Sequence, residues 1–463
     1  MAVRMGDAYD VAVIGAGTGG YACALRAAHL GKRVALVERD DRLGGTCLLR
    51  GCIPTKALLQ SAAVMDSVNR SSEWGIRASG EPDWEAIKAF AGKMVDKLVS
   101  GLTGLVRARR IDVIRGTARI VSGPALEVDG RRVEASDVVV ATGSAPKLLP
   151  GTSVTERVIT SDQALWYDRI PSSAVVIGAG AVGLEFASLY RSLGADVTLI
   201  EALPRIAPLE DEDVSKELVR QFRKRGIQSF AGAKVQGVDE SDQGVKVVYD
   251  VGGETKTETA DICLIAVGRG PVTTDLGLDE AGVELDRGFV KVDAHLQSTA
   301  AHVWAVGDVA ATPLQLAHVS FAEGYAVAER IAGIDVPEID YAGVPRVTYS
   351  TPEAASVGLT ETQARERGAD VEVERLNLHA IGKANILAEG GLVKVVAERG
   401  GGPVLGIHLV GPHVTDLVSE AMLITNWEAA PAEVAAMFHP HPSLSEAVGE
   451  AHLALADKPL HSA

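Results

Sequence analysis

The stretch YDVAVIGAGTGGYACALRAAHLGKRVALVER, Tyr9 to Arg39, decides the fold. It reads as a buried strand, a glycine turn, a helix and a second strand, because an apolar run gives way to helical spacing and then to another apolar run. Gly15, Gly17 and Gly20 fit G-x-G-x-x-G immediately after the strand Val11 to Ile14, and Glu38 closes the second strand 21 residues after Gly17. In such a turn the first two glycines allow close approach of a pyrophosphate, the third lets the helix pack on the strand, and the helix N-terminus faces the phosphates. A carboxylate about 20 residues further on accepts a hydrogen bond from the adenosine ribose. An ordinary strand-to-helix turn uses the same glycines, so it is the strand, helix and acid in register that point to a dinucleotide.

The same order of elements returns at SSAVVIGAGAVGLEFASLYRSLGADVTLIEA, Ser172 to Ala202. Gly178, Gly180 and Gly183 follow the strand Ala174 to Ile177, and Glu201 lies 21 residues after Gly180. Two such units imply two dinucleotides. A carboxylate where a 2'-phosphate would sit repels it, so Glu201 favours NAD over NADP, although a solvated strand end would also place an acid there.

With 463 residues the chain is too long for one hydrophobic core and is expected to split into roughly three or four domains. Apolar residues make up 47% and charged residues 23%, as in an average soluble protein, while 49 glycines predict glycine-rich loops between buried strands. A net charge of -16 argues against a nucleic-acid footprint, which needs clustered lysine and arginine. Four cysteines are too few for a secreted disulfide scaffold, so a close pair reads as catalytic or redox, and Cys23 and Cys263, within apolar runs, read as core. Arg4, Asp7 and Asp10 before the first apolar run do not resemble a signal or transit peptide, and no apolar run is long enough to span a membrane. A cytoplasmic protein is expected, with no membrane or nucleic-acid partner.

Asp83 to Arg110 reads as a scaffold helix with apolar residues at helical spacing. DVVVATG gives a buried strand ending at Ala141, Thr142 and Gly143; ADICLIAVGRG repeats the theme and ends at Gly268 and Arg269; VWAVGD stops at Gly307 and Asp308. An aspartate at the C-terminal end of a buried strand is where open α/β sheets place ligand contacts. A helix follows within PLQLAHVSFAEGYAVAERIAG, ending near Gly333. Beyond Val336 and Pro337 the pattern changes to alternating strands such as GLVKVVAE and VLGIHLVG and a helix from Asp416 to Trp427, the mark of an α+β domain.

GGTCLLRGCIPTK, Gly44 to Lys56, holds Cys47 and Cys52 four residues apart, flanked by glycines and with Pro54 two positions on. The pair could close a small disulfide loop at a helix start, a two-electron switch; a metal or a plain structural disulfide is the alternative, and the absence of further nearby ligands makes zinc the weaker one. Taken together with the two glycine units, ATG at Ala141 to Gly143, Gly268-Arg269, Val306 to Asp308, and HPHPSLSE from His439 to Glu446, this stretch resembles the flavoprotein disulfide reductases from about Tyr9 to the end of the chain. The cysteine and histidine stretches are specific; the glycine patterns are not. Within the family the likeness is nearest to members that oxidise protein-bound dihydrolipoamide with NAD+.

The resemblance implies an α/β fold with two Rossmann-like dinucleotide-binding domains and a C-terminal α+β dimerisation domain. Residues 1–148 would bind FAD, 149–270 would bind NAD, 271–338 would complete the FAD domain, and 339–463 would form the interface of a homodimer. FAD would be held at Gly15, Gly17, Gly20, Glu38, Thr46, Lys56, Thr142, Gly143 and Asp308, with the helix starting near Leu316, Ala317 and His318 aimed at the flavin pyrimidine. NAD would be held at Gly178, Gly180, Gly183, Glu185, Glu201 and Gly268, Glu185 also pairing with Lys56. Cys52 would be the sulfur nearest the flavin and Cys47 the one that exchanges with substrate. His441, oriented by Glu446, would take the dithiol proton from across the dimer interface, since only a thiolate attacks. His439, two residues before His441, keeps the reading of a turn residue. The implied partners are a lipoyl domain and the acyltransferase core of a 2-oxoacid dehydrogenase complex, and no metal is expected. Two departures are Arg50 between the cysteines and Val272 where the family often has asparagine. A glutathione-like disulfide reductase is the nearest rival, disfavoured by Glu201; a docking or redox-sensing flavoprotein with incidental diaphorase activity is a rival of another class, and turnover of free dihydrolipoamide separates it.

Overall fold

The computed structural model describes residues 8–461, so the stretch carrying Arg4 and Asp7 lies outside the described residues. The chain forms two compact units. One comprises the chain up to Ala57, Glu85–Lys147 and Arg269–Tyr341; the other comprises Leu58–Trp84, Leu148–Gly268 and the chain from Ala342 onward.

In the first unit the opening apolar runs become strands Tyr9–Ile14 and Val34–Glu38, buried on both faces as parallel strands under helices must be. The parallel sheet runs Asp112–Arg115, Val34–Glu38, Tyr9–Ile14, Arg131–Val140, Val303–Ala305. The first half of Arg131–Val140 instead pairs antiparallel with Ala125–Val128, which pairs with Ala118–Ser122. Because the five strands share one direction, Ile14, Glu38, Val140 and Ala305 finish at one edge, and every loop that follows them meets there. Helix Thr18–His29 packs on helix Ala317–Ile331, and a Cβ on Gly324 would lie 2.4 Å from the Gly19 carbonyl oxygen. Glycine is what permits that approach.

The second unit repeats the arrangement in a parallel sheet ordered Gln228–Ala231, Asp196–Glu201, Ser173–Ile177, Ile262–Ile265, Val158–Thr160. An antiparallel meander, Lys234–Ser241, Gly244–Val251 and Glu254–Ala260, is added to it. The same unit holds a five-stranded antiparallel sheet in the order Arg346–Thr348, Glu353–Gly358, Val404–Gly411, Leu392–Glu398, Val371–Asn377. Helices Val414–Asn426 and Glu446–Leu455 close one apolar face of this sheet. Lys394, on a central strand, is almost fully buried and places Nζ 2.8 Å from Asp211, 2.7 Å from Asp213 and 2.9 Å from Glu361. That cluster ties the antiparallel sheet to helix Glu212–Lys224.

The helix expected over Asp83 to Arg110 spans Trp84–Ala108, and that expected over Asp416 to Trp427 spans Val414–Asn426. Such offsets are those of fraying ends. Among the described residues no helix is long and apolar enough to cross a membrane.

Candidate active site

Each glycine turn is sterically committed. Gly15 has φ +100° and a Cβ there would lie 2.4 Å from the Ala141 carbonyl oxygen, while a Cβ on Gly20 would lie 1.9 Å from the Gly15 carbonyl oxygen. In the second unit Gly178 has φ +101° with 2.3 Å to the Ala266 oxygen, and Gly183 has 1.8 Å to the Gly178 oxygen. Gly17 and Gly180 are the N-caps of helices Thr18–His29 and Ala181–Ser192, neither capped by a side chain, so their first amides are left for a ligand. Glu38 and Glu201 play matched parts. Glu38 accepts from the Ala16 amide (2.8 Å) and the Asp40 amide (2.9 Å); Glu201 accepts from the Ala179 amide (2.7 Å) and the Leu203 amide (2.8 Å). Each carboxylate thereby stitches the glycine turn to the loop after the next strand, keeping lone pairs for a ribose hydroxyl.

The cysteine stretch is clamped onto the first turn. The Gly44 amide donates to the Ala16 carbonyl at 2.9 Å, and a Cβ on Gly45, where φ is +59°, would come within 2.5 Å of the Gly17 Cα. Thr46 and Cys47 lie on the short helix Gly45–Arg50, and Cys52 opens helix Cys52–Asn69 with Lys56 one turn on. Both cysteines are half-buried, and their side chains are hydrogen-bonded to each other. A hydrogen bond to Cys52 together with burial holds the Cys47 thiol well above its ordinary range, against a smaller opposing pull from Lys56. Two thiols this close titrate as a pair. Arg50 is ion-paired with Asp40, so its charge is committed away from the sulfurs.

The other strand ends converge on the same sheet edge. Thr142 Oγ1 donates to the Val272 carbonyl at 2.7 Å, and the Gly143 carbonyl accepts from the Val272 amide at 3.0 Å, so the position where asparagine is common serves here through its backbone. Ser144 Oγ donates to Asp308 at 2.5 Å and accepts from Arg269 Nε at 2.7 Å. Leu316 caps helix Ala317–Ile331, whose first turn carries Ala317 and His318. Glu323, on that helix and fully buried, accepts from the Gly307 amide at 2.6 Å and the Tyr341 hydroxyl at 2.9 Å. Burial pushes the Glu323 carboxyl above its usual range. Sequence reasoning passed over Glu323, although a charged residue in an otherwise apolar helix face was a visible signal.

In the second unit, His441 Nδ1 donates to Glu446 Oε1 at 2.7 Å, and the Ser443 amide donates to Glu446 Oε2 at 2.7 Å. Against the upward pull of burial, the Ser443 amide and His441 hold the Glu446 carboxyl below its usual range, so it stays an anion. With Nδ1 engaged, the exposed imidazole presents Nε2 as the basic nitrogen. Glu185 is buried and accepts from the Tyr349 amide at 3.0 Å, and Gly268 has φ +108°. Cys23 and Cys263 are core, their thiols each pushed by burial up to about 12. Among the described residues no cluster of His, Cys, Asp or Glu suits a metal ion.

Residues 9–324 match the family described as pyridine nucleotide-disulphide oxidoreductase, and 344–452 match its dimerisation domain. A dihydrolipoyl dehydrogenase of Bacillus subtilis is 40% identical over 99% of this chain and 100% of its own. A mitochondrial dihydrolipoyl dehydrogenase of Pisum sativum is 37% identical over 98% of this chain and 93% of its own, and a leghemoglobin reductase of Glycine max is 37% identical over 98% and 88%. Among solved structures, LpdA from Mycobacterium tuberculosis superposes with a TM-score of 0.88 at 27% identity, covering 96% of this chain and 99% of that one. The HOCl-induced flavoprotein disulfide reductase RclA from Escherichia coli superposes with a TM-score of 0.86 at 28% identity, with the same coverage. The chain belongs to the pyridine nucleotide-disulphide oxidoreductase family.

Proposed function

We propose that the protein is a homodimeric enzyme that oxidises protein-bound dihydrolipoamide to lipoamide and reduces NAD+. The observation that carries the reading is the Cys47–Cys52 pair clamped through Gly44 and Gly45 onto the first glycine turn, which brings a two-electron thiol couple to a dinucleotide site. Curated relatives named dihydrolipoyl dehydrogenase, matched over nearly the whole chain, support this substrate over a glutathione-like one.

The residues present fit the two cofactors, since both glycine turns are cradles that a Cβ would fill. FAD would be held by the first turn, Glu38, Thr46, Lys56, Thr142, Gly143, Asp308 and the Leu316 to His318 helix start. NAD would be held by the second turn, Glu185, Glu201 and Gly268. FAD, when bound, supplies the two-electron link between the protein dithiol and NAD+. Residues 1–148 and 271–338 then form the FAD domain, 149–270 the NAD domain and 339–463 the interface.

The chain's own residues account for the thiol half. His441, tied to Glu446, takes a proton from the substrate dithiol, and the thiolate formed attacks Cys47 of the Cys47–Cys52 disulfide. The Cys47–Cys52 bond breaks and Cys52 leaves as a thiolate. The second substrate sulfur then attacks the mixed disulfide, closing the dithiolane and releasing Cys47 as the thiol. The substrate is oxidised by two electrons and the cysteine pair is reduced by two. The partners on this reading are a lipoyl domain and the acyltransferase core of a 2-oxoacid dehydrogenase complex, in the cytoplasm.

The test is steady-state NAD+ reduction with free dihydrolipoamide. Cys47→Ser and His441→Gln are each expected to lower turnover by at least about a hundredfold, in the range of a lost nucleophile or base, while bound flavin is retained. Wild-type turnover in either variant would sink the assignment.

A further inference from the structure

The terminal turn carries two histidines, and each ends on a carboxylate. His441 is exposed and rests on Glu446; His439 is mostly buried, and its Nε2 donates to Glu420 Oε1 at 2.8 Å. Glu420 belongs to helix Val414–Asn426, whereas the other side of the His439 ring lies on helix Glu446–Leu455. There the fit is tight, because a Cβ on Gly449 would come within 2.4 Å of His439 Nδ1 and 2.8 Å of Cε1. The ring is thus wedged between the helix that precedes the turn and the helix whose first residue is Glu446. Pro440 and Pro442 restrict φ on either side of His441, so little freedom remains between the wedge and the base.

We propose that His439 is a positioning residue for thiol oxidation: tied to Glu420 and seated on Gly449, it fixes the turn so that His441 stays on Glu446 with Nε2 presented to the dithiol. The groups facing His439 are Glu420 from one helix and Glu446 and His452 from the other. The hydrogen bond to Glu420 raises the proton affinity of His439, and the Glu446 charge adds to it against burial, which stiffens the tie. The inference rests on the dihydrolipoamide reading, because a base matters only if a dithiol must be deprotonated.

The experiment compares His439→Phe, His439→Gln and Gly449→Ala with the wild type, using free dihydrolipoamide and NAD+, with flavin content and dimer mass measured on each. His439→Phe keeps ring bulk without a donor, and its kcat is expected to fall at least about tenfold with KM within about twofold, as a small misplacement of a base costs rate rather than binding. His439→Gln places an amide N–H where Nε2 donates, and is expected to restore kcat to within about threefold of the wild type. Gly449→Ala leaves every polar group in place but displaces the ring, and is expected to reproduce the Phe loss. An unchanged kcat in His439→Phe, or a Gln variant as slow as the Phe variant, overturns the proposal while leaving the substrate assignment standing. A wild-type chain that does not turn over dihydrolipoamide overturns both.

Discussion

At Gly20 a single methyl group would land 1.9 Å from the Gly15 carbonyl oxygen, and at Gly183 the same addition meets the Gly178 oxygen at 1.8 Å. The contacted atoms are backbone, so the turn itself must move, at a cost of about 1–3 kcal/mol locally and with the phosphate cradle deformed. The two positions are chemically equivalent and differ only in which nucleotide their turn would hold. Gly20→Ala is therefore expected to purify depleted in flavin. Gly183→Ala is expected to retain its flavin absorbance while the KM for NAD+ rises at least about tenfold. Visible spectra and NAD+ titrations of the two proteins check this, and loss of flavin in Gly183→Ala would reverse the assignment of the turns. These glycines were legible because their spacing is local, as were Glu38 and Glu201 beyond them. His439 was not, because its partners Glu420 and Gly449 come from two helices whose packing no local pattern specifies.

Helix Glu446–Leu455 carries a second consequence at the scale of an element. His452 is fully buried in its middle, Nδ1 donating to the Val448 carbonyl at 2.7 Å while Nε2 has no hydrogen-bond partner among the described residues. Burial pushes its pKa down to about 4, from an ordinary value near 6.5, so the native helix holds it neutral. Between those two pH values the unfolded chain binds a proton that the native chain refuses. Stability is then full above about pH 6.5 and falls as pH drops toward 4, by about 3 kcal/mol in all. Thermal unfolding followed from pH 7 to pH 4.5 should show a shallower acid decline in His452→Leu than in the wild type; parallel declines would place the acid sensitivity elsewhere. The helices and buried strands of this chain could be read from their periodicity. The meander Lys234–Ala260 could not, because its two outer strands are mostly exposed and only Val245, Val247 and Tyr249 of the middle strand mark a core face. Lys394 was equally hidden, being an ordinary strand lysine until Asp211, Asp213 and Glu361 arrive from distant segments.

The whole molecule, on the proposed reading, is two copies of this chain. Phe438 is fully exposed, Trp427 and Met437 largely so and Leu423 partly so, all on the matched dimerisation domain, with Met437 and Phe438 directly before the turn that carries His441. Apolar residues left in water next to a catalytic base are explained if a second subunit covers them. The arrangement makes a quantitative demand. If His441 serves the cysteines of the other subunit, a dimer of one Cys47→Ser chain and one His441→Gln chain has one site with both groups intact and one with neither. Random reassociation of the two inactive variants puts half the dimers in this mixed form, so the mixture is expected to regain about a quarter of wild-type dihydrolipoamide oxidation, as two-fold symmetry requires. If base and dithiol belonged to the same subunit, no combination of these chains would hold an intact site, and the mixture would stay inactive. Mixing the purified variants, exchanging subunits in mild denaturant and assaying NAD+ reduction therefore separates a shared site from a self-contained one without any structural measurement.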